Sequence, residues 1–203
     1  MGIVASDISV SLDGFVAGPN DGPELGLGEG GERLHEWVYG LKSWREPHGL
    51  EGGETGQDSE VMDEAFRTVG AIVLGKRMYE NAKGWGDEPP FKVPVFVLAH
   101  EQRERVVKGE TSFDFVSEGI ESAVDQARAA AGEDNVSIAG GASTIQQTIA
   151  AGLLEQIQIH LVPILLGGGV RLFENLDPDQ SALELTRVID SPGVTHLRYR
   201  VGG

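Results

Sequence analysis

Residues 136–173 read VSIAGGASTIQQTIAAGLLEQIQIHLVPILLGGGVRLF. Val136 to Ala139 is a short apolar run of strand type, stopped by Gly140 and Gly141. Ala142 to Ala151 carries helical spacing, with Ile145, Ile149 and Leu153 on one side. Ile157, Ile159 and Leu161 then alternate with Gln158, His160 and Val162, a strand period, before a second glycine turn. Two successive glycines between a strand and a helix permit φ > 0 and close approach of a ligand. The helix start beyond them offers unpaired N–H groups and a positive dipole end, an anion site. Ser143 and Thr144 add hydroxyls there. A tight connection with no ligand would use the same residues, so the surroundings must decide.

Working outward, residues 3–18 predict a first strand that bends at Leu12-Asp13-Gly14 into Phe15-Val16-Ala17. Residues 18–31, GPNDGPELGLGEGG, are too rich in glycine and proline for a packed element. They read as a long loop, either a lid or a disordered insert. Leu34, Trp37, Val38 and Leu41 have helical spacing, and a second polar, glycine-rich insert covers 46–57. Ser59 to Thr68 predicts a short helix, and Ala71 to Leu74 a buried strand ended by Gly75. Lys76 and Arg77 open the helix that follows, so cations meet a helix start, a plausible phosphate grip. Pro94–Leu98 and 112–116 are further strands, and Ser117 is placed to cap a helix to Ala131. A polar loop after Phe173 leads to strands 183–189 and 195–201, joined by a turn at 190–193.

Composition narrows the function classes. The chain has 203 residues, one domain's worth, and no cysteine for disulfide or thiol chemistry. Sixteen basic against thirty-two acidic residues give a net charge of −16, which argues against nucleic acid or an anionic membrane as partner. The five histidines show no metal-ligand spacing, and no apolar run reaches membrane-spanning length. A cytoplasmic location is the expectation. Strand and helix alternate five or six times before the hairpin, which predicts an α/β fold with a mainly parallel sheet and an antiparallel hairpin at one edge. In such sheets ligands bind at the carboxyl ends of the strands, where Ser11–Gly18, Gly75–Arg77, Ala99–His100 and Gly140–Thr144 all fall.

SVSLDGFVAG (9–18), VLGKRMYE (73–80), the stretch from Ile138 to Phe173 and the final hairpin together resemble the dihydrofolate-reductase-like superfamily. Within it the match is to the reductase domain of riboflavin biosynthesis, the C-terminal half of the bifunctional deaminase-reductase, in its stand-alone form. The resemblance covers nearly the whole chain. It implies a single three-layer domain over 1–203, NADPH as cofactor, and hydride transfer to a C=N or C=O of a small heterocyclic or sugar-linked substrate. The 5-amino-6-(5-phosphoribosylamino)uracil reductase step is one such reaction. No deaminase zinc motif is present, so the chain is not the bifunctional enzyme.

Carried over residue by residue, the resemblance puts Ser9, Val16 and Ala17 around the nicotinamide. Gly75, Lys76 and Arg77 match the turn that grips the adenosine-side phosphates, and His100 falls near the 2′-phosphate. Gly140, Gly141, Ala142, Ser143 and Thr144 match the pyrophosphate turn. Lys76 stands for a commoner arginine and Met78 for a usual threonine, which bears on NADPH against NADH. Dihydrofolate reductases carry one carboxylate on the helix before the second strand; Asp58 and Glu60 are the nearest candidates here, with Asp63 and Glu64 further along, none in a recognisable motif. Asp13 and His160 are the other candidates for the chemistry, each with a structural alternative: holding the bend, and packing in the core. Dihydrofolate reduction and a non-catalytic NADPH-binding module are the competing readings. The resemblance also implies a homodimer, formed through the apolar IHLVPILL region (159–166).

Overall fold

The computed structural model describes residues 2–174, 176 and 182–202. Part of the polar loop read after Phe173 (175 and 177–181) therefore lies outside the described residues. Strands β1 (Val4–Ser11), β2 (Phe15–Ala17), β3 (Val69–Gly75), β4 (Val95–Leu98), β5 (Val106–Lys108) and β6 (Thr111–Val116) lead to β7 (Asn135–Gly140) and β8 (Gln156–Val162). The chain ends with β9 (Val170–Arg171), β10 (Leu183–Ser191) and β11 (Val194–Val201). The helices are α1 (Glu36–Tyr39), α2 (Lys42–Arg45), α3 (Gln57–Arg67), α4 (Lys76–Asn81), α5 (Ile120–Ala131) and α6 (Ala142–Ala150).

Nine strands form one sheet in the order β10-β11-β8-β1-β7-β3-β4-β6-β5, and β2 pairs with β9 in a small second sheet. The pairs from β8 to β6 are all parallel, while the β10–β11 hairpin joins β8 antiparallel. β3 shows why the centre is parallel and buried. Its run VGAIVLG sends Ala71 and Val73 into one apolar cluster and Ile72 and Leu74 into another on the opposite face. The first cluster is closed by Ala123, Val124 and Ala127 of α5 and Ile145 and Ile149 of α6. The second is closed by Phe113, Tyr79 and Trp85, whose rings pack edge-on or stacked. α3 covers the other part of the sheet, bonded to β11 through Asp58–His196 and Glu64–Arg198. The fold is the dihydrofolate-reductase-like three-layer sandwich.

Two local readings change. The spacing of Leu34, Trp37, Val38 and Leu41 does not make one helix. A 3-10 turn (Gly31–His35), α1 and α2 follow one another, because Leu41 is extended (ψ 142°). Leu34, Val38 and Leu41 are buried all the same. Ser117 does not cap α5; Gly119 is the N-cap and Ser117 lies two residues short of it. The 46–57 insert is tied down by main-chain bonds from Lys42 N–H to Glu54 O (2.9 Å) and from Glu54 N–H to Gly40 O (2.8 Å).

Candidate functional site

Two glycine turns meet on the rim where the parallel strands end. β7 runs into Gly140, which has φ +131°, and Gly141, which has φ −68° and is the N-cap of α6. The left-handed conformation thus belongs to Gly140 alone. Gly141 sits in a region any residue adopts, and a Cβ built there meets nothing within 4 Å. Neither the φ of Gly141 nor contact along its Cβ direction calls for glycine there; the peptide that joins it to Gly140 is cis. The open space beside it is what a ligand lying against the α6 N-terminus would use. Gly75 stands next to this turn: a Cβ on it would come 2.7 Å from the Thr144 hydroxyl, itself buried. The Ser143 hydroxyl accepts from Gln147 (3.1 Å).

The cations of α4 are engaged within the chain. Lys76 reaches Glu80 at 3.6 Å, and Arg103, past the end of β4, reaches the same carboxylate at 3.1 Å. Arg77 donates to the Asp21 carboxylate and to its backbone carbonyl at 3.1 Å. His100 is exposed at the bend after β4. Arg103, which the sequence reading passed over, adds a cation to this corner; the two arginines of HEQRER after the strand were its signal. The 18–31 loop is an ordered structure folded on itself. Gly18 N–H bonds Leu27 O (2.8 Å), Glu29 N–H bonds Pro19 O (2.8 Å), and Asn20 bonds Glu29 (2.8 Å). Arg77 and Asn81 both fasten it to α4 through Asp21.

Of the candidates for chemistry, Asp13 stands apart from the other two. Its carboxylate accepts from the Ser11 hydroxyl (2.6 Å) and from the N–H groups of Leu166 (3.1 Å) and Gly167 (2.7 Å). The Ser11 bond above all, then the backbone bonds, pull its pKa down to about 2. Asp13 clamps the β1–β2 bend to the glycine turn before β9.

Asp58 and His160 are brought into one buried network. Register puts Ser9 of β1, His160 of β8 and His196 of β11 side by side. His160 Nδ1 lies 2.6 Å from His196 Nδ1. His160 Nε2 bonds the Asp7 carboxylate, and His196 Nε2 lies 3.1 Å from Asp58 Oδ1. The indole of Trp37 covers both imidazoles, with centroids 4.8 and 5.1 Å away, and donates to the Ser9 hydroxyl (3.1 Å). Below them Gln158 donates to Asp7 (3.1 Å) and accepts from Arg198 (2.7 Å), which also donates to Glu64 (2.7 Å). Burial, then the charge of His160, press the pKa of His196 below the usual imidazole value, with Asp58 opposing. Burial does the same to His35, whose Nδ1 is enclosed with no hydrogen-bond partner. Asp7 and His196 were not singled out from sequence, and Trp37 was read as a packing residue rather than a ligand platform.

Two cavities, of about 180 and 190 Å³, flank α3 rather than the glycine turns. The first is lined by Ser43, Thr55 and Ser59 among others; the second has Asp7, Glu64, Gln158 and Arg198 in its wall. Among the described residues, no group of three or more His, Asp or Glu is placed to hold a metal ion, and no helix is long and apolar enough to cross a membrane. Ile159, His160 and Val162 of the apolar run at 159–166 are buried between β1 and β11, while Leu165 of the same run is exposed. Leu183, Leu185 and Val188 on the edge strand β10 are exposed apolar side chains of the hairpin.

This architecture matches a known family. The model of the RibD C-terminal domain fits residues 3–197. The chain belongs to that family. A protein assigned to riboflavin biosynthesis from Shewanella sp. PV-4 shares the fold at TM-score 0.69 and 21% identity, covering 99% of each chain. Dihydrofolate reductase from Enterococcus faecalis, complexed with NADP(H) and RAB-propyl, matches at TM-score 0.58 and 13% identity over 100% of this chain and 98% of its own. A diaminohydroxyphosphoribosylaminopyrimidine deaminase/5-amino-6-(5-phosphoribosylamino)uracil reductase from Thermotoga maritima matches at TM-score 0.61 and 12% identity. The RibD-family chain covers 98% of itself in that match and spans 56% of the Thermotoga chain.

Proposed function

We propose that the protein is an NADPH-dependent reductase of a small C=N or C=O substrate of the phosphoribosylaminopyrimidine class. The observation that carries this reading is the rim itself: an α6 N-terminus behind a glycine whose Cβ direction is open, with Gly75 packed beside it. Family membership supports it, as does the NADP(H) named for one structural neighbour. The Gly140–Thr144 turn would hold the pyrophosphate with backbone N–H groups. Gly75, Lys76 and Arg77 would meet the adenosine side, with Arg103 and His100 nearby and Arg77 exchanging Asp21 for phosphate. Ser9, Val16 and Ala17 would border the nicotinamide. When bound, NADPH supplies the hydride. The residues of the chain then orient the substrate against Trp37, exclude water under the 18–31 loop, and manage the proton that reduction consumes.

One observation favours dihydrofolate as a second reading: Asp58 is a carboxylate on α3, the helix before β3. The test is NADPH oxidation, followed by absorbance, with 5-amino-6-(5-phosphoribosylamino)uracil and with dihydrofolate in parallel. Turnover of the first supports the proposal. Turnover of dihydrofolate alone favours the second reading, and saturable NADPH binding with neither substrate reduced points to a binding module. Assembly as a homodimer belongs to the same proposal, and sedimentation of the purified chain measures it.

A further inference from the structure

We infer that Asp7, His160, His196 and Asp58 form a proton relay, which holds one excess proton between its two imidazoles and delivers it at Asp58 to the group being reduced. It rests on the reductase reading above for its recipient, though not for its existence.

Counting protons makes the case. The four side chains are joined by three hydrogen bonds: Asp7–His160, His160–His196 and His196–Asp58. Each bond needs one proton. Two nitrogens 2.6 Å apart cannot both present lone pairs, because a neutral imidazole has one donor and one acceptor nitrogen. Two ionised carboxylates and two neutral imidazoles supply only two protons. The array therefore holds one in excess, shared as an imidazole–imidazolium pair between two carboxylates. The flanking carboxylates stabilise this charge, while Trp37 and the surrounding sheet seal it from water. A further proton is resisted, since burial and the neighbouring imidazole both work against a full second charge on His196.

The array also has direction. β1 rises from Val4 towards the rim, and α3 descends from the rim to the start of β3, so the Asp58 end of α3 is near the rim and Glu64 is below. Asp7 is two residues below Ser9 on β1 and forms part of the wall of the 190 Å³ cavity. Arg198 and Glu64 pair with each other in the same wall at 2.7 Å. At the other end Asp58 is partly exposed (22%). His35 sits near the array with its free, enclosed Nδ1, but hydrogen-bonds to none of the four.

Reduction of C=N or C=O requires one proton at the nitrogen or oxygen besides the hydride at carbon. His196 Nε2 passes a proton to Asp58, which gives it to that atom. The proton shared between the rings settles on His196 Nδ1, and His160 keeps its Nε2 proton against Asp7. Asp58, partly exposed, then takes one proton from water and returns it to His196 Nε2, which restores the array with one solvent proton consumed. Asp58 is the donor in this scheme; His196, His160 and Asp7 are positioning residues that act through it.

The experiment has two arms. In ¹⁵N-histidine NMR of the intact protein, the relay requires a strongly deshielded proton coupled to the Nδ1 atoms of both His160 and His196. It also requires that the two rings titrate as one unit. His160→Gln should abolish that resonance, and Asp7→Asn, which removes the carboxylate that holds His160 Nε2–H, should weaken it. Two rings that titrate independently, with no shared proton, would overturn the relay whatever the substrate proves to be. The second arm measures NADPH oxidation with the phosphoribosylaminouracil. Asp58→Asn should lower kcat about 100-fold, in the range of general acid catalysis. His160→Gln should lower it at least tenfold at alkaline pH, with a smaller loss in acid, leaving KM for NADPH unchanged. Equal kcat and an unaltered pH profile in His160→Gln would also overturn the relay. A parent enzyme that leaves this acceptor unreduced contradicts the substrate assignment instead, and the NMR arm then decides the relay. Asp7→Asn, at a partly exposed position, serves if His160→Gln melts far below the parent.

Discussion

Gly141→Val separates ligand space from structural need. Gly141 has φ −68° and ψ −173°, which valine adopts without strain, and no atom within 4 Å of its Cβ direction. The stability cost is then mainly that of a poorer N-cap, about 0.5–1 kcal/mol. For a chain of this size that lowers Tm by roughly 1–4 °C. NADPH at about 100 times its Kd should raise the parent's stability by about 2.7 kcal/mol. The corresponding gain in Tm is roughly 5–11 °C. In the variant the isopropyl group fills the space proposed for the pyrophosphate, so that gain should vanish. Thermal melts with and without NADPH read both quantities. A variant that melts near the parent and still gains the full shift would show that the pyrophosphate does not lie on this turn. A much lower melt with the gain preserved would refute the argument that position 141 is structurally undemanding.

Gly75→Ala should behave differently. Its Cβ would meet the buried Thr144 hydroxyl at 2.7 Å, so a cost of about 1–3 kcal/mol from overpacking should appear in the melt without any ligand. Replacing Lys76 and Arg77 together by alanine should remove most of a preference for NADPH over NADH, each charge-assisted contact being worth about 1.5–3 kcal/mol; fluorescence titration showing equal losses for both cofactors would sink that assignment. Asp13 titrates lower in the folded chain than its ordinary value, so its stabilising effect is complete above about pH 4 and fades as pH falls toward about 2. Asp13→Asn should flatten that part of the Tm–pH curve, and an unchanged curve would contradict the clamp. His35 and His196 are also held below their ordinary value of about 6.5; as bases they favour the fold above that pH, and Tm should decline on acidification below it. His35→Gln should reduce the decline, and a Tm unchanged between pH 7.5 and 5.5 would refute it.

The rim was legible in the sequence because its elements are local. Strand, Gly-Gly, helix and strand follow one another within residues 136–162, and the run at 71–75 is apolar on both faces because β3 is buried on both. Short pieces were not legible. β5 and β9 are three and two residues long and exist only through pairing with β6 and β2. Leu34, Val38 and Leu41 are buried, but their helical spacing could not show that Leu41 leaves the helical conformation. The histidine network needed more than pattern. His160 and Asp58 each drew notice, yet His196 joins them only through the register of β8 with β11 and the course of α3 across that face. Asp7 looked like an ordinary polar residue of an alternating strand, and nothing in its neighbours indicated a partner some 150 positions away.

The central claim is that this RibD-family chain binds NADPH on the rim formed by Gly75–Arg77 and Gly140–Thr144. Titration of the ¹⁵N-labelled protein with NADPH, followed by amide chemical shifts, tests it directly. The account predicts saturable one-to-one binding, with the largest changes at Gly141–Thr144 and Gly75–Arg77 and smaller ones at Ser9, Val16 and Ala17. Absence of saturable binding would contradict it, as would changes centred on the cavities beside α3 while the two glycine turns stay still.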